Sequence, residues 1–223
     1  GSEMCIRDRP IDSLRENKVM SLKTRFGNLG NILDFDNLTE ENIYVLDSPI
    51  LSNTQFNKFV SYFGENNQVF DCTFNDEKTL EDALNNLKKD TEIAVRKGIT
   101  QIVLSDKNIS EKNYPIPTLL SVGAVHTSLV RLGLRGYVSI NVQSGECLDT
   151  HSFATVIGVG ATTVNPYLAF DSLYERFQKK LFGNLSFDDC VIRYIKSVNL
   201  GLLKIMSKMG ISVLSSYRGG CNF

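Results

Sequence analysis

Two aspartates in this chain, Asp71 and Asp106, each follow a run of residues typical of a buried β-strand. If those strands are parallel neighbours, the two carboxyl groups lie at one edge of the sheet and could act as an acid/base pair. Aspartates at strand ends also cap loops and helix starts, so a structural role is the other interpretation. We expect any ligand to bind at this carboxyl edge.

Other polar residues follow predicted strands in the same way. They are Ser105, Gln143 to Glu146, Asn165 and Ser216 to Arg218. In "QSGE" (143–146) the glycine permits close approach of a ligand, although a Ser-Gly turn before an acid is also an ordinary loop. The segment "RGG" (218–220) could cradle a phosphate with its backbone N–H groups, or could be a turn at a frayed end.

The sequence contains no complete catalytic or metal-binding motif. It lacks a Gly-x-Ser-x-Gly elbow, a Walker loop and a His-Glu-x-x-His pair, and "GVGATTVNP" (158–166) has only Gly-x-Gly and precedes a strand. Five cysteines are scattered without a Cys-x-x-Cys pair, which predicts reduced thiols. His126 and His151 have no carboxylate at ligand spacing. We therefore predict no catalytic residue and no metal ligand.

Charge and hydropathy argue against several classes of protein. The 223 residues include 24 lysines and arginines against 25 aspartates and glutamates, which argues against a nucleic-acid or membrane partner. No apolar run approaches the ~18 residues of a membrane span, and the first residues lack the apolar core of a secretory signal. We expect a cytoplasmic protein.

The elements that position the candidate residues alternate between strands and helices from residue 65 onwards. Apolar, β-branched runs predict five strands, at 69–74, 99–105, 137–142, 162–165 and 211–214. Caps and apolar periodicity predict helices at 79–97, 117–132, 150–157, 167–182 and 187–209. Such alternation predicts an α/β fold with a mostly parallel sheet of about five βα units, either open or a degenerate (β/α) barrel.

The amino-terminal part of the chain differs in character. Residues 1–9, "GSEMCIRDR", are interpreted as an extraneous or disordered segment. Residues 10–64 predict an irregular segment with short helices at 39–46 and 53–63, followed by the α/β domain at 65–216. The short apolar strand predicted at 211–214 would form an open sheet edge, which predicts self-association of the chain.

Several stretches together resemble a known family. They include "PIDSLRENKVMSL" (10–22), "LLSVGAVHTSLVRLGLRGYVSINVQSGE" (119–146), "NPYLA" (165–169) and "KIMSKMGIS" (204–212). On these stretches the chain resembles the glutamate synthase large chain, specifically its central domain, between the glutamine amidotransferase domain and the FMN-binding synthase domain. The resemblance implies that residues 217–223 begin the synthase domain.

The resemblance implies a part in making L-glutamate. Enzymes of this family release ammonia from glutamine, pass it through an internal tunnel to 2-oxoglutarate and reduce the product with FMN, which receives electrons through an iron–sulfur cluster. The electron donor in the family is ferredoxin or a pyridine-nucleotide-oxidising subunit. The plastid stroma is the alternative to a cytoplasmic location.

For this chain the resemblance implies a linking and coupling domain without a cofactor of its own. Its partners would be the amidotransferase and synthase domains of the same chain. Arg15 and Met20, in "RENKVMSL", are the candidate residues near the flavin or the ammonia path, and simple packing of a helix face is the alternative. The alternative function is a stand-alone α/β small-molecule binding module that uses Gln143 to Glu146.

Overall fold

A computed structural model describes residues 10–12, 14–26 and 43–220 of the chain. The predicted extraneous segment 1–9 and the first half of the predicted helix 39–46, residues 39–42, lie outside the described residues. Within the described part, no helix is both long enough and apolar enough to cross a membrane.

The first described elements form a small unit ahead of the main sheet. They are helix α1 (Glu16–Val19), strand β1 (Thr24–Phe26), strand β2 (Tyr44–Leu46) and helix α2 (Asn53–Phe63). The two strands pair antiparallel. Ser52 caps α2 in a capping box with Gln55, and Gly64 ends it.

Strands then alternate with helices along the chain. In order they are β3 (Asn67–Asp71), β4 (Thr73–Phe74), α3 (Leu80–Arg96), β5 (Gln101–Ser105), β6 (Tyr114–Pro115), α4 (Thr118–Arg131), β7 (Ser139–Gln143), α5 (Thr150–Gly158), β8 (Thr163–Asn165), α6 (Tyr167–Gln178), α7 (Phe187–Lys208) and α8 (Leu214–Tyr217). Side chains of Thr79, Asp149 and Ser186 cap α3, α5 and α7.

The central sheet contains four parallel strands in the order β3-β5-β7-β8, which is also their order in the chain. Helices α3, α4 and α5 join consecutive strands, and each packs against the next. Because right-handed crossovers between neighbouring strands put all the helices on one face, the arrangement is that of half a (β/α) barrel. The structure therefore confirms the predicted α/β class with a parallel sheet.

Apolar side chains cover both faces of this sheet. Ile102 and Leu104 of β5 belong to the main core with α3, α4 and α5, whereas Val103 between them belongs to a second cluster. That second cluster includes Phe26 of β1 and Phe59 of α2. The amino-terminal unit therefore closes the sheet face that lies opposite the helices.

The fifth strand, predicted at 211–214, was wrong. Within the described part of the chain, Val213 makes a single bridge, to Ser21, and Leu214 already begins α8, where its side chain is fully buried. The chain turns at Gly210, whose φ is 71°, so this segment enters the core instead of extending along the sheet. Four βα units are present, and residues 211–214 are not an open edge.

The helix predicted at 39–46 was wrong where the structure describes it, since Tyr44–Leu46 form β2. The Tyr44 ring packs edge-on against Phe59, with ring centroids 5.7 Å apart, so tertiary packing overrides the helical signal here.

One edge of the main sheet is covered, because Pro49 and Leu51 exchange backbone hydrogen bonds with Val164 of β8. Strand β3 pairs only with β5 among the described strands.

Candidate functional site

Asp106 is the buried centre of the polar groups at the carboxyl edge of the sheet. Its carboxylate accepts the Gly145 backbone N–H, at 2.9 and 3.1 Å to its two oxygens, and the Ser144 hydroxyl at 3.0 Å. Burial is the main cause of a raised pKa of Asp106, and the Gly145 and Ser144 hydrogen bonds oppose it. The carboxyl group thus holds the loop after β7 against the end of β5.

Glu146 fastens the same loop to helix α4. Its Oε2 accepts the Thr118 backbone N–H at 2.8 Å, and the Thr118 and Ser144 hydroxyl oxygens are 2.6 Å apart. Pro117 occupies the N-cap position of α4 and makes no side-chain cap hydrogen bond. Glu146 therefore caps α4 from a distant part of the chain, where a negative charge near a helix N-terminus is favourable.

A second row of hydrogen bonds crosses the carboxyl ends of β5, β7 and β8. The Ser105 hydroxyl donates to Gln143 Oε1 at 2.9 Å, and Gln143 Nε2 donates to Asn165 Oδ1 at 3.2 Å. Asn165 Nδ2 donates in turn to the Leu51 carbonyl and to Asn53 Oδ1. The candidate residues that follow these three strands therefore form one network.

Asp71 stays outside this network. It is exposed, and its carboxylate accepts the Thr73 N–H and hydroxyl and the side-chain amide of Asn108. No hydrogen bond of the described residues joins Asp71 to Asp106. The structure thus supports the loop-capping interpretation of Asp71 over an acid/base pair.

Two further members of the network, Tyr167 and Thr118, were not among the candidate residues. The Tyr167 hydroxyl oxygen lies 3.1 Å from where a Cβ of residue 145 would stand, so Gly145 permits this close approach. Burial and the negative charge of Asp106 raise the pKa of Tyr167 to about 12. Both residues begin helices at the carboxyl edge. The sequence analysis selected only polar residues that directly follow strands. Including the first residue of each helix that starts at this edge would have found them.

The hydrogen-bond donors at this edge of the sheet already donate to acceptors within the network. The backbone N–H groups of Gly145 and Glu146 and the side-chain amides of Gln143 and Asn165 all donate within it. The carboxyl groups of Asp106 and Glu146 would also repel a phosphate. The described residues at this edge therefore do not fit a phosphate-bearing cofactor such as FMN, and the arrangement acts to fix loops and helix starts.

The buried thiols are unsuited to nucleophilic chemistry. Burial raises the pKa of Cys72 and of Cys147 to about 12, so both stay protonated at neutral pH. Cys190 is also buried as a free thiol. Across residues 10–12, 14–26 and 43–220, no group of three or more His, Cys, Asp or Glu side chains could hold a metal ion.

The segment 218–220 lies at the opposite edge, near the amino end of β8. The Gly219 N–H donates to the Gly158 carbonyl at 2.9 Å, and the Gly220 N–H donates to the Tyr217 carbonyl at 3.3 Å. Because both N–H groups are engaged, this segment does not form the phosphate cradle that its glycines suggested.

His126 packs between two glycines at this amino edge. Its Nδ1 accepts Arg135 Nε at 3.1 Å, and burial together with the Arg135 charge lowers the pKa of His126. A Cβ at Gly160 or Gly219 would come within 2.4 or 2.6 Å of the ring, so both positions require glycine. His151 is exposed on α5, so the two histidines stand in different surroundings.

The candidate residues Arg15 and Met20 flank helix α1. The Arg15 side chain is 76 % exposed, and its Nε lies 4.0 Å from Asp12 Oδ2. Met20 is partly buried and packs against the main core. The surroundings of Met20 are those of a packing residue, whereas Arg15 faces solvent.

The family model described as glutamate synthase central domain matches residues 7–223 of the chain. The NADPH glutamate synthase large chain of Azospirillum brasilense is 49% identical over 221 residues, which cover 98% of this chain and 14% of that protein. The corresponding large chain of Bacillus subtilis is 39% identical over 96% of this chain and 14% of that protein. The chloroplastic ferredoxin-dependent glutamate synthase of Spinacia oleracea is 40% identical over 94% of this chain and 14% of that protein.

Among solved structures, a mutant flavocytochrome b2 with pyruvate bound is similar with a TM-score of 0.48 and 14% identity, over 60% of this chain and 32% of that one. The chain spans 14% of the length of each of the three glutamate synthases. The family model covers nearly the whole sequence, and the identity to these relatives extends over the same residues. The chain belongs to the glutamate synthase central-domain family.

Proposed function

We propose that the chain is the linking and coupling domain of a glutamate synthase large chain. The whole enzyme would make L-glutamate by transferring glutamine-derived ammonia to 2-oxoglutarate and reducing the product. The observation that carries this proposal is the 49% identity, over 98% of the chain, to a protein named as such a large chain.

A scaffolding role for the chain itself is supported by its polar residues. The side chains of Asp106 and Glu146 hold loop and helix termini within the fold, and the amides of Gln143 and Asn165 bond to each other. We assign residues 10–64 to an amino-terminal segment, 65–216 to the α/β domain and 217–223 to the start of the synthase domain. Residues 1–9 are assigned to an extraneous or disordered segment.

The cofactors and partners of the proposal belong to the whole enzyme. FMN and an iron–sulfur cluster would be carried by other parts of the large chain, with the amidotransferase and synthase domains as neighbours. Relatives named as NADPH and as ferredoxin-dependent enzymes are both similar, so either electron donor suits the proposal. The proposed location is the cytoplasm, with the plastid stroma as the alternative for a chloroplastic type.

Arg15 and Met20 remain proposed contacts near the flavin or the ammonia path. In a complete enzyme, Met20→Ala is expected to lower the ratio of glutamate formed to glutamine hydrolysed. Val19→Ala is the matched control, because Val19 is 49% exposed on the same short helix. An unchanged ratio in Met20→Ala would leave only the packing role.

The purified chain provides the test against the alternative function, a stand-alone binding module. We expect no glutaminase activity, no glutamate formation and no stoichiometric flavin spectrum. Thermal unfolding with 2-oxoglutarate, glutamine or FMN is expected to show no shift, whereas a ligand at 100 times its dissociation constant would raise the midpoint by about 5–10 °C. A rise that Gly145→Val abolishes would favour the binding module at Gln143 to Glu146.

A further inference from the structure

Arg218 is a partly buried cation with few partners. The one described hydrogen bond of its guanidinium runs from Nη2 to the Thr24 hydroxyl oxygen at 3.3 Å. The Nε atom is buried and has no acceptor among the residues that the structure describes. Burial, and after it the positive charge of Arg135, lower the pKa of Arg218 to about 10. A buried donor without an acceptor destabilises a fold. A bound acceptor group at this position would therefore stabilise it.

Arg135 brings a second positive charge that its own contacts do not neutralise. Its guanidinium donates to the carbonyl oxygens of Val138 and Gly160 and to Nδ1 of His126. The two carbonyls are uncharged, and the lowered pKa of His126 keeps its ring neutral at pH 7. None of the ion pairs within the described residues includes Arg135 or Arg218.

The available donors suit a carboxylate better than a phosphate. A guanidinium presents parallel N–H groups that match the two oxygens of a planar carboxylate. Phosphate sites commonly add several backbone N–H groups, but those of Gly219 and Gly220 already donate to carbonyl oxygens. We propose that Arg218, with Arg135 beside it, binds a carboxylate group at the amino edge of the sheet.

This site lies at the opposite end of the sheet from the Asp106 network, and the inference does not depend on the proposed function. Two sources supply the same chemistry, a soluble dicarboxylate or an acidic side chain of an adjoining domain. Both place a negative charge beside Arg218, where the nearby positive charge of Arg135 and partial burial strengthen the attraction. Experiments on the 223-residue chain and on a longer chain separate the two sources.

The first experiment titrates the 223-residue chain with sodium glutarate and follows the Arg218 Nε–H resonance by NMR. We expect a saturable shift of this resonance and a rise in the thermal unfolding midpoint, neither of which sodium chloride at equal ionic strength produces. Binding to variants at this position is read from the thermal midpoint, because they lack the Arg218 Nε–H. Arg218→Met is expected to abolish the glutarate-dependent rise, and Arg218→Lys, which keeps the charge but loses the paired donors, to weaken binding about tenfold. Arg131→Met, at an exposed position on α4, is the matched control and is expected to bind glutarate normally.

The second experiment repeats the titration on a chain that includes the adjoining domains. If an acidic side chain fills the site, the Arg218 resonance is expected at its shifted position without glutarate, which supports the proposal. A 223-residue chain with Asn or Gln in place of Asp34, Asp36, Glu40 and Glu41 is a further control. It tests whether an acidic side chain of this same chain already pairs with Arg218. The proposal is overturned if these substitutions alone move the resonance, or if neither chain shows a shifted or glutarate-sensitive Arg218.

Discussion

Replacing Gly201 with alanine tests how α7 packs on α5. A Cβ built at this position would stand 2.4 Å from Thr150 Cγ2, 2.7 Å from Oγ1 and 3.1 Å from Cβ. Rotation of the Thr150 side chain does not relieve the last of these contacts, because the two backbones set it. Ordinary contact begins at 3.4 Å, so one of the helices has to shift to accept the methyl group.

Two opposing effects determine the expected magnitude. Alanine stabilises a helix interior by about 0.5–1 kcal/mol relative to glycine, because a residue with a side chain loses less conformational entropy on folding than glycine does. Overpacking of a tight contact destabilises by about 1–3 kcal/mol. We therefore expect Gly201→Ala to lower the free energy of unfolding by about 1–2 kcal/mol and the midpoint by about 2–8 °C.

Gly123→Ala is the matched control, since Gly123 lies within α4 and a Cβ there would meet nothing within 4 Å. It is expected to raise the midpoint, measured by circular dichroism in the same buffer. In a Thr150→Ala background the penalty of Gly201→Ala is expected to fall, because Cγ2 and Oγ1 are gone. Equal stabilisation by Gly201→Ala and Gly123→Ala would refute the packing argument.

Three further predictions concern the carboxyl edge of the sheet. Cys72 and Cys147, whose pKa burial raises to about 12, are expected to react with a thiol reagent at neutral pH only on unfolding, and fast labelling of the native chain would contradict this. The pKa of Asp106 is raised in the folded state, so its stabilising contribution is present below the unfolded pKa and is lost as pH rises through the folded value. As pH rises from below the ordinary aspartate pKa of about 3.9 through the raised folded value, the stability of Asp106→Asn is thus expected to improve relative to the original chain, and a difference that does not vary with pH would argue against it. Glu146→Ala removes the cap of α4 and is expected to lower the unfolding free energy by about 1 kcal/mol in denaturant titrations, whereas Glu111→Ala, at an exposed position, changes it little.

Local chemistry predicted helices α2 to α7 and the four strands of the parallel sheet. The run Gln101–Ser105 is β-branched and apolar, and it forms a fully buried central strand. The caps at Ser52 and Thr79 accept the expected backbone N–H groups. These signals succeed because a cap or a buried strand depends on residues within a few positions of one another.

The errors arose where a distant partner decides the outcome. Residues 211–214, "ISVL", have the composition of a strand, but Ser21 alone among the described residues forms a bridge with them, and burial of Leu214 favours α8. Tyr44 has a helical context in the sequence, yet it pairs with Phe26 in β1. A pattern of neighbouring residues in the sequence does not predict such long-range contacts.

The candidate site was predicted only in part, because some of its contacts join elements that are distant in the sequence. The rule that parallel strands end at one edge brought the loop of Gln143 to Glu146 beside Asp106, and the structure assembles them. The capping of Thr118 by Glu146 and the wedge of His126 between glycines depend on contacts between separate elements. Spacing along the sequence does not reveal those contacts.

The most direct test of the proposed function replaces the matching segment of the Azospirillum brasilense large chain with residues 10–219 of this chain. The exchange preserves the neighbouring domains of that relative, which is 49% identical over this region. The measurement is the ratio of glutamate formed to glutamine hydrolysed by the chimera. We predict that glutamate forms at a ratio close to that of the unaltered enzyme. A folded chimera that binds its flavin but forms no glutamate from glutamine would contradict the proposal.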